Sequence, residues 1–259
     1  MNVVDRFSGT LYREAFDQLS LHQPFVRGTD GMWVGSGSSP LRGVARMMYT
    51  SNWVEEFDAW LRHPNFFRSN QPIHLIGRQN YSKPFEPGII SPKGGEFITT
   101  VFSHPLTRQT SFPTKLEFDQ VRNYEDFLEM VKLQKIAFQA QDKWLNPDDE
   151  VRFVTNPRIK GFIGWYDQIP ATTVTLVKHT DIGTIWSLGV HPYFRRQGLG
   201  SETLQFALDT MFNWRDQGQL INQAMLTAGV EHNDFYKKNG FQVVGSLRNQ
   251  IVVSSLHSV

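Results

Sequence analysis

The chain has 259 residues, 40% of them hydrophobic and 13% aromatic, with a net charge of +1 and no cysteine. That length and apolar content suffice for one large or two ordinary packed domains and exclude a disordered chain. The balanced charge gives no electrostatic footprint for a nucleic acid, and the missing cysteine excludes disulfides, thiolate metal sites and a cysteine nucleophile. The opening residues, Met1-Asn2-Val3-Val4-Asp5-Arg6, lack the basic-then-apolar pattern of a secretion signal. No apolar run reaches the length of a membrane span, so a cytoplasmic protein without a membrane partner is expected.

Residues 1–112 are expected to form an N-terminal α/β region. Phe16 and Leu19 suit a short helix, and Gly35-Ser36-Gly37-Ser38-Ser39-Pro40 reads as a loop. Asn52 has the character of a helix N-cap, with Glu55 three residues on. Val54, Phe57, Trp60 and Leu61 then give an apolar helical face, which Pro64 ends. Ile73–Ile76 and Phe97–Phe102 read as strands, with an irregular passage marked by Pro84, Pro87 and Pro92 between them. Pro105 to Pro113 reads as a linker.

From Thr114 the order is more regular. Leu116, Phe118 and Val121 mark a strand. Asn123, with Asp126 behind it, caps a helix whose apolar face is Tyr124, Phe127, Leu128 and Val131. Asn146-Pro147-Asp148-Asp149-Glu150 has the proline and acids of a helical first turn. Gly161–Tyr166 and Thr172–Val177 read as strands joined by a turn at Gln168-Ile169-Pro170, and His179–Gly183 connects to the next strand. That strand, Ile182–Val190, is uncharged and rich in β-favouring residues. Leu204, Ala207, Leu208, Met211 and Phe212 fall at helical spacing, and Gly218 follows. Ala224–Thr227 is a strand, and a short helix precedes Asn239-Gly240. Phe241–Val244 and Ile251–Ser254 read as two final strands. No metal-ligand spacing is present among the histidines.

Between the strand ending at Val190 and the helix around Leu204 lies His191-Pro192-Tyr193-Phe194-Arg195-Arg196-Gln197-Gly198-Leu199-Gly200. Glycines permit close backbone approach, and a helix N-terminus offers unpaired N–H groups and the positive end of the macrodipole. Such a junction suits a pyrophosphate. No Gly-Lys-Ser/Thr follows, which excludes a Walker A loop, and the third glycine of the dinucleotide fingerprint is missing. Val-x-Pro-x-x-Arg-x-x-Gly-x-Gly resembles the acyl-CoA loop of the GNAT superfamily of N-acyltransferases. Asn233-Asp234-Phe235-Tyr236-Lys237-Lys238-Asn239-Gly240-Phe241 resembles that family's later motif, a short helix ending in Phe-Tyr-x-Lys-x-Gly-Phe. The element order β-α-α-β-β-β-α-β-α-β-β is similar to that of the family.

The resemblance covers Thr114 to the C-terminus. It implies an α+β fold, a mixed and mostly antiparallel sheet flanked by helices, over residues 113–259. The N-terminal α/β region would then be a degenerate GNAT-like half or an unrelated addition. The implied activity is acetyl transfer from acetyl-CoA, as co-substrate, to an unidentified amine, with no nucleic acid partner and with a homodimer left open. Arg195, Arg196, Gln197, Gly198, Leu199, Gly200 and Ser201 would hold the pyrophosphate. Leu188, Gly189 and Val190 would pair with the pantetheine arm, and the Val190 N–H would polarise the thioester carbonyl. Tyr236 would protonate the departing thiolate, and Asn233 would bond the cofactor arm. The strand carboxylate of many relatives is absent, because Trp186 and Ser187 stand there. Water, Glu231, His232, His191 or a carboxylate elsewhere stay open as the base. Phe138, Asp142 and Trp144 fall in the acceptor region without a recognisable specificity. A non-catalytic acyl-CoA-binding or regulatory module, and transfer of a longer acyl group, are the alternatives.

Overall fold

The computed structural model describes residues 98–107, 114–139, 154–179 and 181–246, together with the backbone of residues 26–27, 33–35, 45–48, 73–78, 90–92, 97 and 247–254. The expected N-terminal helices, the loop at 36–40, the helix start at Asn146, and residues Asp142 and Trp144 lie outside these. In chain order the elements are β1 (Val26–Arg27), β2 (Trp33–Gly35), β3 (Ala45–Met48), β4 (Ile73–Arg78), β5 (Ile90–Pro92), β6 (Phe97–Pro105), β7 (Glu117–Gln120), α1 (Tyr124–Phe138), β8 (Ile159–Tyr166), β9 (Ile169–Lys178), β10 (Ile182–Val190), α2 (Leu199–Asp216), β11 (Gln223–Gly229), α3 (Asn233–Lys238) and β12 (Gln242–Ser254). Among the described residues no helix is long and apolar enough to cross a membrane.

Packing divides the chain into two units. One comprises residues 1–101, 227–233 and 244–259, the other residues 102–226 and 234–243. In the first, β1, β2 and β3 form an antiparallel ribbon, and β3 runs parallel to β4. Strand β12 pairs antiparallel with β4 from Leu247↔Arg78 to Val252↔Ile73, and its end pairs with β5. The two final strands expected from sequence are therefore one strand of 13 residues. Ladder bonds to β4 carry it through Leu247–Gln250, where the apolar pattern lapses.

In the second unit β7, β8, β9 and β10 are antiparallel neighbours, and β10 runs parallel to β11. The sheet is thus mixed and mostly antiparallel, as the resemblance implies. The β8–β9 turn is Asp167-Gln168, at φ 49° and 63°; it starts one residue before the expected Gln168-Ile169-Pro170 and leaves Ile169 and Pro170 in the strand. Positive φ at both turn residues suits the strands' right-handed twist. Pro170 lies in β9 opposite Trp165, at a register shift.

Two helices cover the two faces of β9. Thr173 Oγ1 accepts from Gln134 Nε2 of α1 at 3.4 Å, while Thr172 Oγ1 lies 2.8 Å from Thr203 Oγ1 of α2. Neighbouring strand residues point to opposite faces, so α1 and α2 lie on opposite sides. Accordingly β9 is buried on both, from Ala171 to Val177. The face of α2 is the expected one, with Leu204, Ala207, Leu208, Met211 and Phe212 buried. That of α1 is rotated. Phe127 and Val131 are buried with Met130, Leu133, Gln134 and Ala137, whereas Tyr124 and Leu128 are exposed. The expected cap forms, with Asn123 Oδ1 accepting from the Asp126 N–H at 2.9 Å.

Candidate functional site

Strand β10 is paired with β11 only through Ile182↔Gln223, Gly183↔Ala224 and Thr184↔Met225. Among the described residues, Ile185–Val190 have no strand partner but β9. Register with β9 shifts between Trp186 and Gly189, and Ser187 sits in this bulge at φ 50°. A bulge re-aims the backbone and breaks the ladder locally. Gly189 is placed by packing. A Cβ there would lie 2.9 Å from Ala137 Cβ and 3.2 Å from Phe138 Cε2 and Thr173 Cγ2.

Beyond Val190 the His191 N–H donates to Ala171 O at 2.8 Å. His191 Nδ1 then accepts from the Tyr193 N–H at 3.2 Å and caps a 3₁₀ turn, Pro192–Phe194. Phe194 and Leu199, at the two ends of the loop, are buried with Leu116 and Ala171. Between them the backbone visits positive φ twice, at Arg196 (66°) and Gly198 (86°). The first helical bonds are from the Ser201 and Glu202 N–H groups to Gly198 O, at 3.0 and 3.2 Å. The N–H groups of Arg196, Gln197, Gly198, Leu199 and Gly200 have no hydrogen-bond partner among the described residues. Successive free N–H groups on alternating backbone form an anion-binding concavity, and the 18-residue α2 adds its dipole.

The side chains of the loop divide. Arg195 donates from Nη2 to Ala137 O at 2.7 Å and from Nε to Val190 O at 3.3 Å. Gln197 Nε2 donates to Tyr193 O at 3.4 Å. Arg196 is exposed and makes no side-chain bond among the described residues. The Ser201 N–H is used within the helix, which leaves its hydroxyl. A side chain at Gly200 would meet Val190 Cγ2 at 3.4 Å and the Phe235 ring at 3.6 Å, so α3 abuts the start of α2.

Tyr236 in α3 is buried among Phe102, Phe235 and Phe241, with ring centroids 5.0, 5.0 and 5.9 Å away. Burial pushes its hydroxyl up from 10.0 to about 12. Its carbonyl accepts from the Asn239 and Phe241 N–H groups, both at 3.1 Å, around Gly240 at φ 85°. That closure holds the tyrosine backbone. Asn233 Oδ1, at the first residue of α3, is buried without a hydrogen-bond partner. A buried amide oxygen in that state is an unmet hydrogen-bond acceptor, enclosed by the protein around it.

Trp186 occupies the strand position at which the resemblance implies a carboxylate. Its indole N–H donates to Thr184 Oγ1 at 2.7 Å, two residues back on the same face. Thr184 donates to Val177 O at 3.4 Å, and His179 Nε2 lies 3.1 Å from the same hydroxyl. With one proton given to a carbonyl and one taken from the indole, the hydroxyl has a lone pair left for an Nε2–H of His179. Glu231 and His232 pair at 3.5 Å and are exposed. Among the described residues no group of acids and histidines is arranged to hold a metal. The bulge at Ser187 and the bonds of Arg195 had no signal in the sequence, because the first is made by backbone and the second reaches a carbonyl 58 positions away. The Trp186 network is local, but only strand pairing brings Val177 and His179 beside Thr184.

Residues 151–243 match the family described as "Acetyltransferase (GNAT) domain". Solved structures align over nearly the whole chain. One is a GCN5-related N-acetyltransferase from Kribbella flavida, 12% identical with a TM-score of 0.63, the alignment covering 98% of this chain and 96% of that one. Another is a GNAT-family protein from Novosphingobium aromaticivorans, 12% identical with a TM-score of 0.62 and the same coverage, 98% and 96%. A tandem GNAT protein from the clavulanic acid biosynthesis pathway aligns at a TM-score of 0.55 and 11% identity, over 88% of this chain and 80% of that one. At such identities the likeness is one of fold. No curated protein gives a significant match. Residues 151–243 are thus similar to a GNAT acetyltransferase domain, and the fold around them is shared with solved GNAT structures.

Proposed function

We propose that the protein is an N-acetyltransferase that moves an acetyl group from acetyl-CoA to a primary amine by direct attack, with both bound at once. The observation that carries this reading is the run of five unbonded N–H groups, Arg196 to Gly200, at the start of α2. They suit the pyrophosphate, with charge from Arg196 and the hydroxyl of Ser201 beside them. The edge of β10 beyond Thr184 suits the pantetheine arm, which would pair with the backbone of Leu188, Gly189 and Val190. By the same resemblance Asn233 would bond that arm. The acetyl thioester supplies the activated carbonyl. The Val190 N–H stabilises negative charge on its oxygen, and the neutral Tyr236 hydroxyl gives its proton to the leaving sulfur. No cysteine is present, so no acetyl group passes through a thiol of the enzyme. In this reading residues 113–259 carry the chemistry, and the location is cytoplasmic. A GNAT-like origin for residues 1–112 accords with the likeness to a tandem GNAT protein.

A second reading, a non-catalytic acyl-CoA-binding module, is favoured by Trp186 and Ser187 at the carboxylate position. Calorimetric titration of the full chain with acetyl-CoA separates the readings from a structural role. Micromolar binding is expected. It should survive Gly198→Ala and fall by roughly tenfold more with Gly198→Glu, because a carboxylate at the loop repels phosphate. Release of free thiol with any member of an amine panel then establishes transfer. Binding without transfer favours the second reading, and no binding overturns both.

A further inference from the structure

We infer that Arg195 is a positioning residue, which ties the end of α1 to the end of β10 and leaves phosphate to Arg196 and the loop backbone. This rests on the acyl-CoA reading above. The last carbonyls of a helix lack partners within it and carry the negative end of its dipole. In α1 the Gln139 N–H, at φ 51°, closes onto Ile136 O and Lys135 O. Ala137 O is met by Arg195 Nη2 at 2.7 Å, a charge-assisted bond from a residue 58 positions away. The same guanidinium reaches Val190 O through Nε at 3.3 Å.

That second bond falls at the working end of β10. The peptide linking Val190 to His191 is held on both sides, its carbonyl by Arg195 and its N–H by Ala171 O at 2.8 Å. On the other side of Val190, Gly189 has α1 pressed against it at Ala137 and Phe138. Arg195 therefore fixes where the acceptor-side helix ends relative to the strand that would orient the thioester. The planar fork presents Nε and Nη2 to the two carbonyls in a fixed geometry, whereas a lysine ammonium, a compact charge on a flexible stem, replaces a phosphate contact but does not hold this spacing. Arg196, one residue on and turned to positive φ, is the free cation of the loop among the described residues.

The test compares acetyl-CoA with 3′-phospho-ADP, the end of CoA that bears all the phosphates and no acyl arm. Arg195→Ala and Arg195→Lys should both leave 3′-phospho-ADP binding within about twofold and weaken acetyl-CoA by about tenfold, the scale of one charge-assisted hydrogen bond. Arg196→Ala should weaken the two ligands alike. Equal loss for both ligands in Arg195→Ala, with recovery in Arg195→Lys, would make Arg195 a phosphate ligand and overturn the inference. So would unchanged affinity for both. Failure of the unaltered protein to bind either ligand would instead sink the acyl-CoA reading. The clamp is then still decided by amide hydrogen exchange on the free protein. Exchange at Ile136–Gln139 and His191 should accelerate by about tenfold in both Arg195 variants and not in Arg196→Ala. Unaltered exchange would refute the clamp.

Discussion

The contact between α1 and the bulge of β10 makes Gly189→Ala a sharp perturbation. The added methyl carbon would lie 2.9 Å from Ala137 Cβ and 3.2 Å from both Phe138 Cε2 and Thr173 Cγ2. Carbon atoms attract best at about 3.5–4.0 Å, so all three contacts are compressed. Phe138 has rotamers with which to yield, because it is exposed. Ala137 has none, so its Cβ retreats only if the end of α1 moves. Overpacking of this kind costs about 1–3 kcal/mol, which in a chain of this length lowers Tm by about 2–12 °C. Ala137→Gly removes the nearest obstacle at a cost of about 1 kcal/mol in helix propensity. Chemical denaturation of the wild type, both single variants and the double variant then isolates the contact. The double variant should recover about 1 kcal/mol relative to the sum of the singles. Strict additivity, or a Gly189→Ala protein as stable as the parent, would refute close packing as the reason for glycine at this position.

At Gly198 the expected cost has a different source. No atom lies within 4 Å of an added Cβ, but φ is +86°, so Gly198→Ala should lose about 1–2 kcal/mol from the backbone alone. Gly198→Asn, with a residue that tolerates this region, should lose less, as read by denaturant midpoints. Tyr236→Phe should lower turnover more than acetyl-CoA affinity, and an unchanged rate would remove its proton-donor role. The same residue has a signature in stability. Its folded pKa of about 12 lies above the ordinary 10.0, so its contribution is complete below pH 10 and is lost as pH rises through 12. The loss is about 3 kcal/mol, and alkaline unfolding of Tyr236→Phe should be shallower than that of the parent by this amount. Asn123→Ala removes the acceptor for the Asp126 N–H and should cost about 1 kcal/mol in thermal stability.

Local chemistry made part of this architecture readable in advance. Asn123 caps α1 as its side chain dictates, and the 3.6-residue period of Leu204, Ala207, Leu208, Met211 and Phe212 fixes the buried face of α2. The loop from His191 to Gly200 was visible because its glycines and its place between strand and helix are all local. The misreadings came from long-range effects. Tyr124 and Leu128 look like core by period, but which row of α1 faces the sheet is set by strands 30 to 60 residues on. Residues Leu247–Gln250 lack an apolar pattern, yet pairing with β4 keeps them in β12. Arg195 reads in sequence as one of two equivalent cations, and only the folded chain brings Ala137 O to its guanidinium.

Under the proposed acetyl transfer, the proton balance depends on the network around Trp186, which stands where the resemblance implies a carboxylate. Trp186 gives its N–H to Thr184, whose hydroxyl is shared with Val177 O and His179, so this face of β10 offers a satisfied structural network and no acceptor. His191 has its Nδ1 engaged by the Tyr193 N–H. Glu231 and His232 are exposed and paired with each other. An amine that meets no base on β10 must arrive neutral or lose its proton to water. At pH 7 an α-amino group of pKa about 7.8 is roughly one-seventh neutral, whereas a lysine-like amine of pKa about 10.4 is neutral in about one molecule in 2,500. The strand therefore favours acceptors of low pKa by a factor of several hundred before any contact is made. Rates of acetyl transfer to matched α-amino and ε-amino acceptors should differ in that sense at pH 7 and converge by pH 10. Equal rates at neutral pH would mean that a base from another element, with Glu231 the first to replace by glutamine, takes the proton.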